Sequence, residues 1–284
     1  MKVSLVMSTL GRLNEVIEFI ESLKKINHKN FELIIVDQND GFELQSKCES
    51  ISVDFPFHYL RTPGERGLSR GRNAGLEKAT GDILCFPDDD CIYPPLLINN
   101  VIQIFESDNV DIVCGRAAAL DGRSINGRFE SVAQTVSREN VFTTQIEWVV
   151  FFKRDVFKKI GGYDEKVGVG ASTPWQSCEG PEVTLRALKA GFRARYDPAI
   201  YAFHPELNID TPNNEMIVKG RRYARGMGHV LKRHDYGFLH LAWFVVRPLG
   251  GAFLAITKFR RQRARYYLNV ALGRVEGYIG FVAK

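Results

Sequence analysis

Ile83-Leu84-Cys85-Phe86-Pro87-Asp88-Asp89-Asp90-Cys91 sets a short apolar run directly against three adjacent carboxylates. Neighbouring carboxylates repel by roughly 4 kcal/mol per pair at ~4 Å in an effective dielectric near 20, so three at the end of a strand need something to offset that cost. A divalent cation is one answer. Alternation along an extended chain turns Asp88 and Asp90 to one side and Asp89 to the other, which offers two hard oxygen ligands. So sparse a set suits Mg²⁺ or Mn²⁺, which keep positions open for phosphate oxygens, better than a Ca²⁺ cage. Water is the other answer, in a solvated acidic turn or at the N-cap of a helix starting near Pro94-Pro95. Taken alone, the triplet favours the turn.

The sequence on either side changes that balance. Val3-Ser4-Leu5-Val6-Met7 reads as a buried strand, stops at Ser8-Thr9-Leu10-Gly11-Arg12, and leads into a helix over residues 13–26 in which Val16, Ile17, Ile20 and Leu23 recur at helical spacing. Phe31-Glu32-Leu33-Ile34-Ile35-Val36 is nearly continuously apolar, as in a parallel sheet buried on both faces, and ends in Asp37-Gln38-Asn39-Asp40-Gly41. In open α/β sheets ligands bind beyond the carboxyl ends of strands, where both polar turns fall. A third strand at Phe57-His58-Tyr59-Leu60 precedes a loop rich in glycine and arginine, with a helix beginning at Ser69 or Asn73 and running to Ala79. That loop matches neither a P-loop nor a dinucleotide fingerprint. Later segments read as a helix to Phe105, a strand at residues 110–115, a polar excursion over 117–141 and a strand at 148–152. A short helix at 154–160, a glycine-rich loop to Glu182, a helix at 183–190 and strands at 193–196 and 200–206 follow.

The 284 residues, 45% of them apolar, suffice for a sizeable core. A balance of 38 basic to 33 acidic residues is too mild to call for nucleic acid, although the basic residues crowd into 219–233 and 258–274. Five scattered cysteines, with no Cys-x-x-Cys pair, argue for free thiols in a reducing compartment. The opening residues enter a strand directly, without the pattern of a secretory leader, so the cytoplasm is the expected location.

Together these stretches resemble the family-2, GT-A-fold inverting glycosyltransferases of bacterial polysaccharide synthesis. The likeness covers residues 3–206. It is carried by the opening strand through Ser8-Thr9, Ile34-Ile35-Val36-Asp37, Gly71-Arg72-Asn73-Ala74-Gly75, Thr80-Gly81-Asp82-Ile83-Leu84 leading into Asp88-Asp89-Asp90, and Gly161-Gly162-Tyr163-Asp164-Glu165. In that context the metal reading of the triplet leads.

The resemblance implies an α/β, Rossmann-like and mostly parallel sheet flanked by helices, with domain boundaries at 1–210 and 211–284. It implies transfer of a sugar from a nucleotide-sugar donor, UDP-linked by preference, to a lipid-linked or polysaccharide acceptor in cell-surface glycan synthesis. Ser8, Thr9, Asp37, Arg72, Asp88 and Asp89 would hold the donor. Asp88 and Asp90, completed by His204, would hold Mn²⁺ or Mg²⁺. Two departures stand out. Gln38 replaces a frequent second acid after Asp37. The motif that usually supplies the general base appears as Glu179-Gly180-Pro181-Glu182, with glycine where the aspartate falls. Glu179 leads that motif and is assigned the base; Glu182 is the other carboxylate, and it equally suits a helix's first turn.

From residue 213 the character changes. A cationic stretch precedes the apolar residues 238–257, which Arg247-Pro248 is expected to break into pieces shorter than the ~20 residues that span a bilayer. With Lys258 and the arginines behind it, this helical extension reads as a surface-lying segment peripheral to the cytoplasmic face of the inner membrane, the alternative being an appendage packed on the catalytic domain with its charges in water. Rival readings are a nucleotidyltransferase, which should carry a glycine-rich, lysine-bearing signature that Ser8–Arg12 lacks, and a non-catalytic polyanion- or membrane-binding module.

Overall fold

A computed structural model describes residues 1–281; the last three residues of the expected 211–284 extension lie outside the described residues. The chain divides into two compact units. One comprises residues 1–163 and 183–206, the other residues 164–182 and those from 207 onward.

In chain order the first unit holds β1 (Val3–Thr9), α1 (Asn14–Leu23), β2 (Phe31–Asp37), α2 (Glu43–Glu49), β3 (Phe57–Arg61), α3 (Leu68–Leu76), β4 (Ile83–Cys85), α4 (Leu97–Ser107), β5 (Ile112–Ala118), β6 (Gln134–Val136), β7 (Val150–Lys153) and α5 (Arg154–Ile160). All but the first turn of α6 (Glu179–Lys189), and then β8 (Ala194–Phe203), complete it. The strands form one sheet in the order β3-β2-β1-β4-β7-β5-β8-β6. Pairs β1–β2, β1–β4, β2–β3 and β5–β8 are parallel, while β7 and β6 run antiparallel to their neighbours. β1 and β2 are buried along their whole length, as their nearly continuous apolar runs lead one to expect. The register pairs Thr9 with Asp37, so the polar ends of these two strands open on one edge.

Several local expectations shift. α2 was not expected; it buries only Leu44 and Cys48, too little to leave a visible period. β6 lies inside the supposed excursion and pairs antiparallel with β8. The strand expected from Trp148 begins at Val150, after a single 3₁₀ turn at Glu147–Val149. The two strands expected at 193–206 are one, β8, accommodated by a register shift opposite Cys114 and Arg116. α6 begins at Glu179 rather than Val183.

Glu32 shows how the opposite edge is locked. It lies 1% exposed and accepts hydrogen bonds from Lys2 Nζ at 2.5 Å, Ser4 Oγ at 2.6 Å and the Thr80 amide at 2.7 Å. Burial alone would raise its pKa, but these donors outweigh it and lower the carboxyl to about 2. A depressed folded-state pKa stabilises the fold above the unfolded value near 4.5, and the contribution is lost as pH falls toward 2. That shift corresponds to roughly 3 kcal/mol. Glu32→Gln is therefore expected to lower denaturant stability at pH 7 by about 2–3 kcal/mol. The difference from wild type should narrow below pH 4; a difference constant from pH 7 to pH 3 would contradict this account.

The second unit holds the start of α6, then α7 (Asn214–Arg233), α8 (Phe238–Thr257) and α9 (Arg261–Ile279). α7 and α9 pack backbone to backbone: a Cβ on Gly228 would overlap the Arg274 carbonyl, and one on Gly277 the Arg225 carbonyl. Buried Glu276 pairs with Arg225 at 2.7 Å and also with Arg221. The expected break at Arg247-Pro248 does not occur, and α8 runs unbroken for 20 residues. Proline removes the N–H that would bond the carbonyl four residues back, here that of Phe244. Arg274 of α9 donates to this same carbonyl, so the bond lost inside α8 is replaced from its neighbour.

Candidate active site

The site grows from the carboxyl ends of β1, β2 and β4. Gly71 faces Ser8, where a Cβ would overlap the hydroxyl, and Gly75 faces Val6 in the same way. These two glycines let α3 lie directly on β1 and bring Arg72 in with it. Asn73 on the same helix accepts from the Tyr163 amide at 2.7 Å and donates to its carbonyl at 3.0 Å, which ties α3 to the Gly161-Gly162-Tyr163 turn. Arg186 holds that turn too, donating to the Ile160 and Gly162 carbonyls at 2.8 Å each.

Asp88, Asp89 and Asp90 leave β4 in a tight turn rather than an extended strand. They nevertheless diverge as alternation suggests. Asp89 accepts from Thr9 Oγ1 at 2.7 Å, whereas Asp88, Asp90 and His204 offer ligand atoms all within 4.8 Å of one another. His204 Nε2 lies 3.0 Å from Asp90 Oδ1, and Asp90 Oδ2 lies 3.2 Å from Arg12. The His204 ring stacks on Trp148 with centroids 4.5 Å apart, and its Nδ1 lies 2.7 Å from the Pro205 carbonyl. With Nδ1–H kept on that carbonyl, loss of the Nε2 proton that bonds Asp90 would leave the Nε2 lone pair facing the two carboxylates, which is the orientation a histidine ligand needs. Two carboxylates and an imidazole form a hard to borderline donor set that suits Mn²⁺ or Mg²⁺, so the residues present fit such an ion.

The charges are balanced unevenly. Burial pushes Asp88 up to about 6 against the pull of Arg72, and pushes Asp89 up to about 6 against the Thr9 hydrogen bond. Burial acts in the same sense on Asp90, but His204 and Arg12 prevail and hold it below the usual carboxylate range. Burial would depress His204; its hydrogen bond to Asp90 prevails and raises it. Asp90 thus lies between Arg12 and His204, which is cationic when protonated.

Arg72 is completely buried. It donates to Asp88 Oδ1 at 3.0 Å, sits 3.5 Å from Glu147 Oε2, and lies over the Tyr163 ring at 5.3 Å. It is the residue that the resemblance assigns to the nucleotide, and its guanidinium also engages Asp88. Glu147, its second partner, was missed, because 75 residues separate the two and nothing in the pattern around Trp148 marks it. Asp37 is also buried. It accepts from Tyr59 Oη at 2.6 Å, from the Asn39 amide at 2.8 Å and from Asn39 Nδ2 at 2.6 Å. Gln38 closes the adjoining loop by donating to the Glu65 and Gly67 carbonyls. Thus Ser8, Thr9, Asp37, Arg72, Asp88, Asp89, Asp90 and His204 all lie in the first unit, with Thr9 and Arg72 bonded directly to the acidic turn.

Glu179 and Glu182 belong to the second unit, as the buried acids of α6's first turn. Glu182 faces Arg233 Nε at 3.3 Å and His234 Nε2 at 3.7 Å. Cys178, immediately before them, adopts a left-handed φ of 69°, uncommon for a residue with a side chain, and turns the loop into the helix.

The family model described as glycosyl transferase family 2 matches residues 4–161. An uncharacterized glycosyltransferase of Haemophilus influenzae is 27% identical over 286 residues, covering 94% of this chain and 89% of its own. The glucosyl-dolichyl phosphate glucuronosyltransferase of Haloferax volcanii is 28% identical over 210 residues, covering 69% of this chain and 67% of its own. Among solved structures, the mannosyltransferase PcManGT from Pyrobaculum calidifontis, in complex with GDP-Man and Mn²⁺, superposes with a TM-score of 0.68. It is 15% identical, and the match covers 97% of this chain and 86% of that one.

Proposed function

The chain belongs to glycosyl transferase family 2 and is a glycosyltransferase of GT-A fold, and from that premise we propose that it transfers a sugar, with inversion, from a nucleotide-sugar donor to a lipid-linked or polysaccharide acceptor. A UDP-sugar is the donor assigned. The observation that carries the reading is the convergence of Asp88, Asp90 and His204 on the strand edge that presents Ser8, Thr9 and Asp37. The relative that acts on a dolichyl phosphate and the neighbour solved with GDP-Man and Mn²⁺ support it.

Residues 1–210 form the catalytic domain in this reading and 211–284 an extension peripheral to the cytoplasmic face of a membrane. Ser8, Thr9 and Asp37 receive the nucleoside. Asp88, Asp90 and His204 hold Mn²⁺ or Mg²⁺, which when bound offsets negative charge on the departing diphosphate as a Lewis acid. Arg72 keeps Asp88 ionised and aimed, and Thr9 keeps Asp89 turned aside. Inversion needs one displacement at the anomeric carbon. A carboxylate therefore takes the acceptor hydroxyl's proton as its oxygen attacks, and Glu179 is that base.

Thermal shift against a panel of nucleotide sugars, with and without Mn²⁺, tests the donor assignment. A UDP-sugar at ~100 times its dissociation constant should stabilise the fold by about 2.7 kcal/mol. Stabilisation by UDP-sugars that is indifferent to the metal would sink the role given to Asp88 and Asp90; stabilisation by GDP-sugars alone would replace the donor.

A further inference from the structure

One face of α8 is packed through Leu241, Pro248, Ala252 and Ala255, spaced seven, four and three residues apart. A soluble helix carries polar residues on the opposite face. Here Leu239, Trp243, Val246 and Phe253 repeat there at intervals of four, three and seven, and they are 84%, 61%, 59% and 66% exposed. Beyond the helix, Phe259 is exposed as well. An apolar stripe this long in water calls for a cover.

Charge selects the cover. From Tyr236 to Val275 the chain has seven lysines and arginines and no aspartate or glutamate. A second copy would bring the same positive charge against itself, whereas a surface of anionic lipid would neutralise it. α8 is long and apolar enough to cross a bilayer. Its packing opposes a crossing. α9 runs back alongside α8, with Tyr267 against Gly251 and Arg274 bonded to the Phe244 carbonyl. Were α8 to cross, α9 would be drawn in with Arg263, Arg265, Arg274 and Glu276, charges that hydrocarbon rejects. α9 is in turn locked to α7 through Glu276 and the close backbone contacts of Gly228 and Gly277.

We propose that the outer stripe of α8 lies flat in the interfacial layer of an anionic membrane, with Trp243 and Phe253 seated among the acyl chains and the cationic residues flanking them at the phosphates. This deepens, and rests on, the reading of the acceptor as lipid-linked: a flat-lying anchor keeps the enzyme at the surface where such an acceptor is presented.

Cosedimentation of the full chain with phosphatidylcholine vesicles, with and without phosphatidylglycerol, tests it. Wild type should bind the anionic vesicles and not the neutral ones, and the binding should weaken with added salt. Trp243→Glu combined with Phe253→Glu should lower partitioning at least about tenfold while melting temperature and vesicle-free donor hydrolysis stay unchanged, because both side chains are exposed. Docking is overturned by wild type that ignores anionic vesicles while hydrolysing donor, a result that leaves the enzyme reading intact. Membrane retention that survives alkaline carbonate would overturn the flat orientation in favour of a span. A dimer by light scattering that the double substitution disperses, without vesicle binding, would make a second copy the occupant. Vesicle binding with no turnover of a lipid-linked acceptor would sink the acceptor reading and leave docking standing.

Discussion

Asp90→Ala is expected to lower sugar transfer at least about a thousandfold, with the fold retained, because the reaction places new negative charge at the site this carboxylate helps to build. Asp90 occupies the middle of the cluster, 3.0 Å from His204 and 3.2 Å from Arg12. Its removal leaves Asp88 as the one remaining carboxylate of the candidate ligand set. The measurement is a Mn²⁺ titration of initial rates for wild type, Asp90→Ala and His204→Ala. Asp90→Ala should stay inactive at every metal concentration, while His204→Ala should regain part of its rate as Mn²⁺ rises, since two oxygen ligands remain. Full activity in Asp90→Ala, or wild-type activity that persists in chelator, would remove the metal from the mechanism.

The parts of this site legible in the sequence are those written locally. The nearly continuous apolar runs of β1 and β2 announced a parallel sheet, and the abrupt polarity after Val36 and Phe86 announced its ligand edge. Alternation paired Asp88 with Asp90, and only the resemblance added His204; spacing alone could not, with 113 residues between Asp90 and His204. What stayed hidden depends on partners distant in the chain. The resemblance assigned Arg72 to the nucleotide, but a sequence shows a cation without its counter-ions, and Asp88 and Glu147 beside it were not foreseen. The partners of Asp37, Tyr59 and Asn39, were hidden in the same way.

The same limit governs the extension. Proline inside an apolar run normally ends a helix, and only the placement of Arg274 beside the Phe244 carbonyl shows why α8 continues. A break would have yielded two short fragments with no common face. The continuous helix has one, and a chain of effects leads from a single tertiary hydrogen bond to an exposed apolar stripe. Arg274→Ala should therefore weaken α8 near Pro248 before it disturbs the sheet, which amide hydrogen exchange would register as faster exchange in residues 244–252 with β1 and β2 unchanged.

The second large effect separates the two acids of α6. Glu179→Gln should reduce turnover by about 10²–10⁴ and leave donor affinity within about twofold, because the amide keeps the shape of the side chain but cannot accept a proton. Glu182→Gln should behave differently. Its buried carboxylate pairs with Arg233 and faces His234, so the substitution should lower the melting temperature and reduce turnover less than its neighbour does. The position of the helix start sharpens the comparison. Both acids stand in the first turn, so position in the helix alone does not choose between them. The choice rests on Glu179 leading the motif, ahead of Glu182, which Arg233 engages at 3.3 Å. Isothermal titration with donor and Mn²⁺, run beside pre-steady-state transfer rates for both variants, decides the matter. If Glu179→Gln loses donor binding in proportion to turnover, or Glu182→Gln proves the more damaging to chemistry at unchanged stability, the base has been assigned to the wrong carboxylate.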